Sequence, residues 1–258
     1  MRATLFLLLI SFKAFAAHDE PVYICVQEGL RWAPYSFQES NQQEELKGGS
    51  IDVIDAVFDD LNMQYQLRPL PWGRVLNELR SESGCEVAWD MSKNTKRKVD
   101  ILFSEALYEI HVGAFYSKAH NPNMKTLRGA LGLLDYKVCG IRGYNYAPIE
   151  DLITIYTSRR QQALELLARG RCDIFVGAYE PVFHGERLGY LNVDKQIEFV
   201  HGAAFDRAMY VGVSRHSSRA NSLLQQINQS LKKLKSTGKF QQIMSQHLGI
   251  HDGAFYNR

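Results

Sequence analysis

The apolar positions of this chain repeat with two periods, and the periods take turns. Pro21 to Gln27 alternates apolar residues as a strand does, and Gln64 to Pro69 reads as a second strand. Between them, Gly49 to Asn62 places Ile51, Ile54, Val57, Phe58 and Leu61 on one helical face, with Ser50 as the expected N-cap. Trp72 to Ser81 predicts a helix with Val75, Leu76 and Leu79 inward, and Cys85 to Trp89 predicts a third strand. Strand, helix, strand, helix, strand implies a parallel sheet with crossover helices.

The order then recurs. Leu134 to Ile141 predicts a strand, and Gly143-Tyr144-Asn145-Tyr146 predicts a turn into a helix. Arg159 to Arg169 carries Ala163, Leu164, Leu166 and Leu167 at helical spacing and stops at Gly170, and Cys172 to Val176 predicts a strand. Two extended, aromatic-rich segments, Tyr108 to Tyr116 and Gly202 to Val213, read as crossings between the two units. The tail, Arg219 to Leu234 and Phe240 to Leu248, would then return two helices to the first unit. The expectation is an α/β fold in two lobes, residues 18–110 with 208–258 and residues 111–207, joined by a two-strand hinge suited to a closing clamp.

Composition adds limits. With 258 residues, 45% of them hydrophobic and 22% charged, the chain can build one large or two modest cores. A formal net charge of +2 provides no field that argues for nucleic acid or an anionic membrane. At the start, Met1-Arg2 is basic, Leu5 to Phe12 is apolar, and Ala14-Phe15-Ala16 fits a small-x-small cleavage site. Residues 1–17 are therefore expected to be a secretory signal peptide, its apolar run far too short to span a bilayer. The mature protein would be soluble and periplasmic, with no membrane insertion of its own.

Export changes the reading of the four cysteines, Cys25, Cys85, Cys139 and Cys172, which allow three pairings. Cys25 and Cys139 lie within predicted strands, whereas Cys85 and Cys172 open them. That relation, repeated early and late, favours Cys25–Cys85 and Cys139–Cys172; four buried free thiols are the alternative. The histidines show no metal-ligand spacing, and no phosphate-loop, nucleophile-elbow or zinc-protease motif occurs, so neither metal nor cofactor is expected.

Arg97 is the strongest candidate for chemistry. It follows a polar turn at the carboxyl end of a predicted strand, where open α/β sheets hold small ligands. Its rigid fork of donors suits a carboxylate, although the neighbouring Lys93, Lys96 and Lys98 also fit a solvated basic face.

Six segments together resemble the bacterial extracellular solute-binding proteins of the polar amino acid type, family 3. They are WAPYSF at Trp32–Phe37, GGSIDVIDAVFDDL at Gly48–Leu61, PWGRVLNEL at Pro71–Leu79, SKNTKRKVDILFSEAL at Ser92–Leu107, LLARGRCDIFV at Leu166–Val176 and SLKKLKSTGKFQQIMSQHLG at Ser230–Gly249. The resemblance implies the two-lobed periplasmic-binding-protein fold of type II, closing on a small solute. It also implies that Arg97 grips a ligand carboxylate, that Asp90 and Ser92 line the cleft, and that Tyr35 is a stacking wall. Trp72 is a further candidate wall, with core packing as its alternative. Asn145 and Tyr146, in the turn after the second unit's first strand, would face the cleft, and Asn94 stands where the family has Thr. Two departures stand out. Asp90 replaces a commonly neutral residue and would favour a cationic group on the ligand, unless it only makes an Asx-turn. Ala178 stands where the family's strand ends in an amino-binding Asp, and Glu180, two residues on, is the expected substitute.

These readings point to a monomeric binding protein, not an enzyme. It would pass a carboxylate-bearing polar solute to a membrane permease of the ABC type. One rival is a module that presents its ligand to a membrane sensor. Another is a cyclohexadienyl-dehydratase-like enzyme with Asp90 or Glu180 as general acid.

Overall fold

The computed structural model describes residues 20–28, 32–38, 45–82, 84–124, 127, 129–200 and 207–248. The expected signal peptide lies outside them. No helix among the described residues is long and apolar enough to cross a membrane.

The chain opens with β1 (Val22–Gln27), a short hairpin of β2 (Phe37–Gln38) and β3 (Leu46–Lys47), and helix α1 (Gly49–Asp60). It continues through β4 (Tyr65–Leu70), α2 (Trp72–Glu78), β5 (Val87–Ser92), the one-turn α3 (Thr95–Lys98) and β6 (Ile101–Ile110). Next come β7 (Val112–Ser117), β8 (Val138–Ile141), β9 (Ile153–Thr157), α4 (Arg160–Ala168), β10 (Ile174–Ala178), α5 (Tyr179–Arg187) and β11 (Ile197–Val200). The last elements are β12 (Arg207–Ser214), α6 (Ala220–Ser236) and α7 (Lys239–Leu248).

Two five-stranded sheets result, ordered β4-β1-β5-β12-β6 and β11-β7-β10-β8-β9. In each, four strands run in one direction and a single strand, β12 in the first and β7 in the second, runs against them. The chain passes from the first sheet to the second at His111, between β6 and β7. It returns between β11 and β12 through residues 201–206, which lie outside the described ones, as does part of the expected second crossing.

Period-two alternation divides β1 between two cores. Ile24 and Val26 join Ile54, Val57 and Phe58 of α1, whereas Cys25 joins Val75 and Leu79 under α2. Helices α1, α6 and α7 pack on one another over the first sheet, and α4 covers one face of the second with Ala163, Leu164 and Leu167.

The disulfides are Cys25–Cys85 and Cys139–Cys172, with Cα separations of 5.7 and 6.1 Å. Both sit identically. Cys25 is opposite Ala88 in the β1–β5 ladder and Cys139 is opposite Phe175 in β8–β10. In each case the partner cysteine lies three residues before that ladder position (88 − 85 and 175 − 172). Closing loops of 60 and 33 residues removes unfolded-state entropy worth about 4 kcal/mol each in the chain-entropy account.

Several expectations need correction. Gly48, not Ser50, stands at the cap of α1, and the Ser50 hydroxyl is used elsewhere. The strand expected from Leu134 begins only at Val138, because residues 134–136 form a turn in which Tyr136 N–H donates to the Leu133 carbonyl at 3.2 Å. No helix follows Gly143-Tyr144-Asn145-Tyr146: Pro148 disfavours helical backbone at the residue before it, and only a 3-10 turn at Glu150–Leu152 forms. Helix α5 was not expected.

One irregularity explains Ser104. Strand β6 carries an extra residue against β12, since Tyr210 pairs with Ala106 and Gly212 with Phe103. The bulge takes the wholly buried Val211 N–H off the ladder, and Ser104 Oγ accepts from it at 2.9 Å. Ser104→Ala should therefore cost about 1–3 kcal/mol in urea denaturation, the range for stranding a buried donor. Ser104→Thr should cost much less. An unchanged midpoint for the alanine variant would exclude this role.

Candidate functional site

Strand β5 builds the centre of the site by breaking its own alternation. Against β12, Met91 pairs with Tyr210 and Ala88 with Gly212, so β5 spends three residues where β12 spends two. The extra residue is accommodated at Asp90, whose φ of 56° is one that Asp tolerates better than most side chains. As a result Ala88 and Met91 share the core under α2, Trp89 enters the opposite core, and Asp90 turns into a cavity between the sheets. Asp90 and Ser92 thus lie in the strand itself, where a loop was expected.

Asp90 is 8% exposed and held by hydroxyls. Its Oδ1 accepts from Ser50 Oγ at 2.5 Å and Tyr108 Oη at 2.6 Å, and its Oδ2 accepts from Ser36 Oγ at 3.1 Å. Burial is the largest influence on its carboxyl and pushes it from the ordinary 3.8 up to about 6, against the pull of the three hydroxyls.

Arg97 lies in α3, whose N-cap Asn94 accepts from the Arg97 backbone N–H at 2.8 Å. The guanidinium is 5% exposed. Nη1 donates to the Ser92 carbonyl (2.6 Å) and to Ser92 Oγ (2.9 Å), and Nη2 crosses to the Gly143 carbonyl at 3.0 Å. Its carbon stands 5.6 Å from the Trp72 ring. Burial and the nearby Arg207 lower its pKa to about 10, which leaves it charged at neutral pH. Among the described residues no carboxylate lies within ion-pair distance of it.

The cavity holds about 610 Å³ of empty space, part of it continuous with solvent. Trp32, Trp72 and Trp89, all the tryptophans of the chain, line it with Tyr144 and Tyr146. Of the expected site residues, Arg97, Asp90, Ser92, Trp72, Asn145 and Tyr146 are brought together here. The Tyr146 hydroxyl is committed to its own lobe, accepting from Ile141 N–H at 2.6 Å.

Two expected residues are elsewhere. Tyr35 is not among the cavity's lining residues. It stacks on Tyr108 at 4.1 Å between centroids, behind Asp90, and Trp32 takes the wall instead. Glu180 opens α5 but binds the crossing: it accepts from His111 N–H at 3.0 Å and lies 2.5 Å from His111 Nδ1. Ala178 lines the cavity and presents only a methyl group.

Gln27, Tyr144, Arg207 and Met209 also line it and were not singled out from sequence. Gln27 ends β1, and strand ends were the available signal. Arg207 begins β12 and donates to the Ala147 carbonyl at 2.9 Å.

The sequence matches the family model for bacterial extracellular solute-binding proteins, family 3, over residues 24–250. No curated protein matches it. Among solved structures, a histidine kinase sensor domain with similarity to periplasmic binding proteins superposes with a TM-score of 0.72 at 20% identity, covering 89% of this chain and 96% of that one. An ABC uptake transporter substrate-binding protein from Streptococcus pneumoniae with bound histidine gives 0.72 at 19% identity, covering 88% and 92%. The arginine-, lysine-, histidine-binding protein ArtJ from Geobacillus stearothermophilus gives 0.70 at 15%, covering 88% and 95%. At these identities the likeness concerns the fold.

The raised Asp90 carboxyl has a consequence for stability. Between about pH 4 and about pH 6 the folded protein keeps a proton that the unfolded chain has released. This group's contribution therefore falls as pH rises through that window and is constant above it. Asp90→Asn should remove up to about 3 kcal/mol of that decline, read as the difference in urea-unfolding free energy between about pH 4 and about pH 7. Equal pH dependence in variant and wild type would contradict the shifted titration.

Proposed function

Because the chain belongs to the bacterial extracellular solute-binding proteins, family 3, we propose that it captures a small, carboxylate-bearing polar solute, an amino acid or a relative. It then delivers that solute to an ABC-type importer in the membrane. The observation that carries this reading is Arg97, a buried guanidinium lining an aromatic cavity with no carboxylate beside it among the described residues. Burying a cation is expensive unless an anion and hydrogen bonds compensate, and a solute carboxylate would supply both. Aromatic walls with few polar groups suit a small organic ligand.

The clamp consists of residues 18–110 with 208–258 against residues 111–207. Binding drives closure only through contacts that the closed form adds, so the solute must touch both lobes. The leader at residues 1–17 is removed on export to the periplasm, and the mature protein acts as a monomer. Capture, not turnover, is the activity. A second reading is presentation of the closed form to a membrane sensor, favoured by the fold likeness to a histidine kinase sensor domain.

The test uses the mature protein, a panel of amino acids and their carboxamides, and two readouts, thermal shift and tryptophan fluorescence. A bound ligand raises the unfolding midpoint by mass action, and any solute entering this cavity meets all three tryptophans. Acids should bind, their amides should bind weakly, and Arg97→Ala should cost about 10- to 100-fold in affinity. Arg97→Lys, which keeps the charge but not the fork, should recover only part of it. Undiminished binding by a folded Arg97→Ala variant would refute the assignment.

A further inference from the structure

We propose that Glu180 is a positioning residue for capture. It completes the β7–β10 ladder at His111, and so reduces the first crossing between the lobes to a hinge with a single joint, between Ile110 and His111. This role presupposes the capture reading, because a hinge matters to affinity only in a protein that closes on its solute.

The register of the second sheet leads there. Strands β7 and β10 run antiparallel and end on the pair Val112 and Ala178. The next pair in that register is His111 with Tyr179, and the Tyr179 N–H donates to the His111 carbonyl at 2.8 Å, as a ladder would. The reciprocal bond, from His111 N–H to the Tyr179 carbonyl, does not form, because Tyr179 begins α5 and its carbonyl is directed along the helix. The Glu180 carboxylate takes that place and accepts from His111 N–H at 3.0 Å. Its Oε1 also lies 2.5 Å from His111 Nδ1, which holds the carboxylate on the crossing. Glu180 is buried, and the first turn of a helix is where a carboxylate is favoured.

His111 is thereby a member of the second sheet, fixed through its N–H, its carbonyl and its ring. Beyond it β7 has no freedom to bend, since it pairs with β10 on one side and β11 on the other. Before it Ile110 belongs to the first sheet, opposite Arg207 of β12. Rotation in this crossing is left to the link between Ile110 and His111. Ile110, Val112 and Ala178 line the cavity, whereas Glu180 and His111 are not among its lining residues. The joint therefore adjoins the cavity, and Glu180 acts on the solute through the hinge alone. Without its carboxylate the His111 N–H loses this acceptor, the ladder shortens to Val112, and the crossing gains further joints. The closed arrangement then becomes a smaller fraction of the population, and the apparent affinity falls by that fraction.

The test measures lobe separation and affinity together. Spin labels on Lys232→Cys of α6 and Arg169→Cys at the end of α4, both exposed positions, report the distance between lobes. Calorimetry with L-histidine, L-phenylalanine, L-arginine and their carboxamides reports affinity. The chain with native Glu180 should give one narrow ligand-free distance distribution. Glu180→Ala should broaden it and weaken the tightest of these solutes about 10-fold, with the preference for acid over amide unchanged. Glu180→Gln, which keeps an acceptor for the His111 N–H, should hold the narrow distribution and stay within about 3-fold of native affinity. If Glu180→Ala does not fold, Glu180→Asp, whose shorter side chain falls back from the crossing, replaces it with the same expectation. Unchanged distances in the alanine variant overturn the role, as does lost affinity without a change in distance, or a glutamine variant as impaired as alanine. A changed preference for acid over amide also overturns it, since that would put Glu180 in contact with the solute. Should none of the solutes bind the native protein, the carboxylate reading fails, and the ligand-free distances still decide the hinge.

Discussion

One surplus residue in β5 governs what the cleft contains. A regular strand facing β12 would carry its side chains in strict alternation, and Asp90 would point to the face that Ala88 and Met91 now share under α2. The bulge instead resets the phase, and an aspartate in left-handed backbone absorbs the turn. The placement of Asp90, Ser92 and Arg97 follows from that reset. Ser92 emerges two residues later at the strand's end, and Arg97 hydrogen-bonds back to it from the next turn. The hydroxyls around Asp90 are also made available by backbone geometry. The first N–H groups of α1, at Gly49 and Ser50, donate to the carbonyls of Pro34 and Tyr35 at 3.0 and 2.8 Å, so no side-chain cap is needed. Ser50 Oγ is then free to reach Asp90. Gly48 cannot be replaced there: its φ is 122°, and a Cβ would stand 2.3 Å from the Tyr35 carbonyl oxygen.

The repeated disulfide shows that the two lobes are built to one plan. In each, a cysteine mid-strand is tied to the chain three residues before the neighbouring parallel strand reaches its level. Tying parallel neighbours at that point fixes the entry of the second strand, and hence where its far end delivers side chains. Those far ends are where the cavity lies. Gln27 ends β1, Asp90 and Ser92 end β5, and Gly177 and Ala178 end β10. Open α/β sheets place ligands outside the carboxyl ends of parallel strands, and here two sheets direct such ends at one space.

Much of the architecture was legible because buried parallel strands and amphipathic helices leave strong periods. The helix faces of α1, α4, α6 and α7 are written in spaced apolar residues, and the cysteine relation predicted both bridges. What escaped has identifiable causes. In α5, the sequence YEPVFHGER has Pro181 in the first turn, Gly185 within and few apolar residues, so its helix rests on tertiary packing more than on pattern. Arg97 was readable from its place after a strand, whereas the cap that Asn94 supplies to it was not. Asp90 was readable as a cleft residue but not as a bulge, because one surplus residue leaves no mark in a period-two pattern. Tyr35 and Trp32 exchanged roles for a related reason: residues 32–36 form a tight turn, closed by Tyr35 N–H to the Trp32 carbonyl at 2.9 Å, and rotation within a turn has no period to betray it. Glu180 lies away from the cavity lining because it accepts from the backbone N–H of His111 at the crossing between sheets, a donor that needs a partner.

The contacts that hold the lobes together divide the labour between them. Trp72 Nε1 and Arg97 Nη2 both donate to the Gly143 carbonyl, at 3.2 and 3.0 Å, and Arg207 donates to the Ala147 carbonyl. The first lobe reaches across with side chains, and the second answers with the backbone of one turn. Gly143 holds φ at 82°, a conformation its neighbours would resist, and this aims its carbonyl at both donors. Side-chain contacts across the cleft are weaker. Lys96–Glu150 is exposed at both ends and contributes little, and Asn145 itself reaches back to the Lys93 carbonyl at 3.3 Å. Net of water, the neutral bond from Trp72 is worth about 1 kcal/mol and each of the two from guanidinium groups about 1.5–3 kcal/mol. These bonds join the two sheets through the backbone of one turn. Against them stand the charges that the cavity leaves without a counter-ion, whose burial is costly. Within this cavity those groups are Arg97 and Asp90, a cation and an anion from the same lobe, each satisfied in hydrogen bonds by neutral partners and neither in charge.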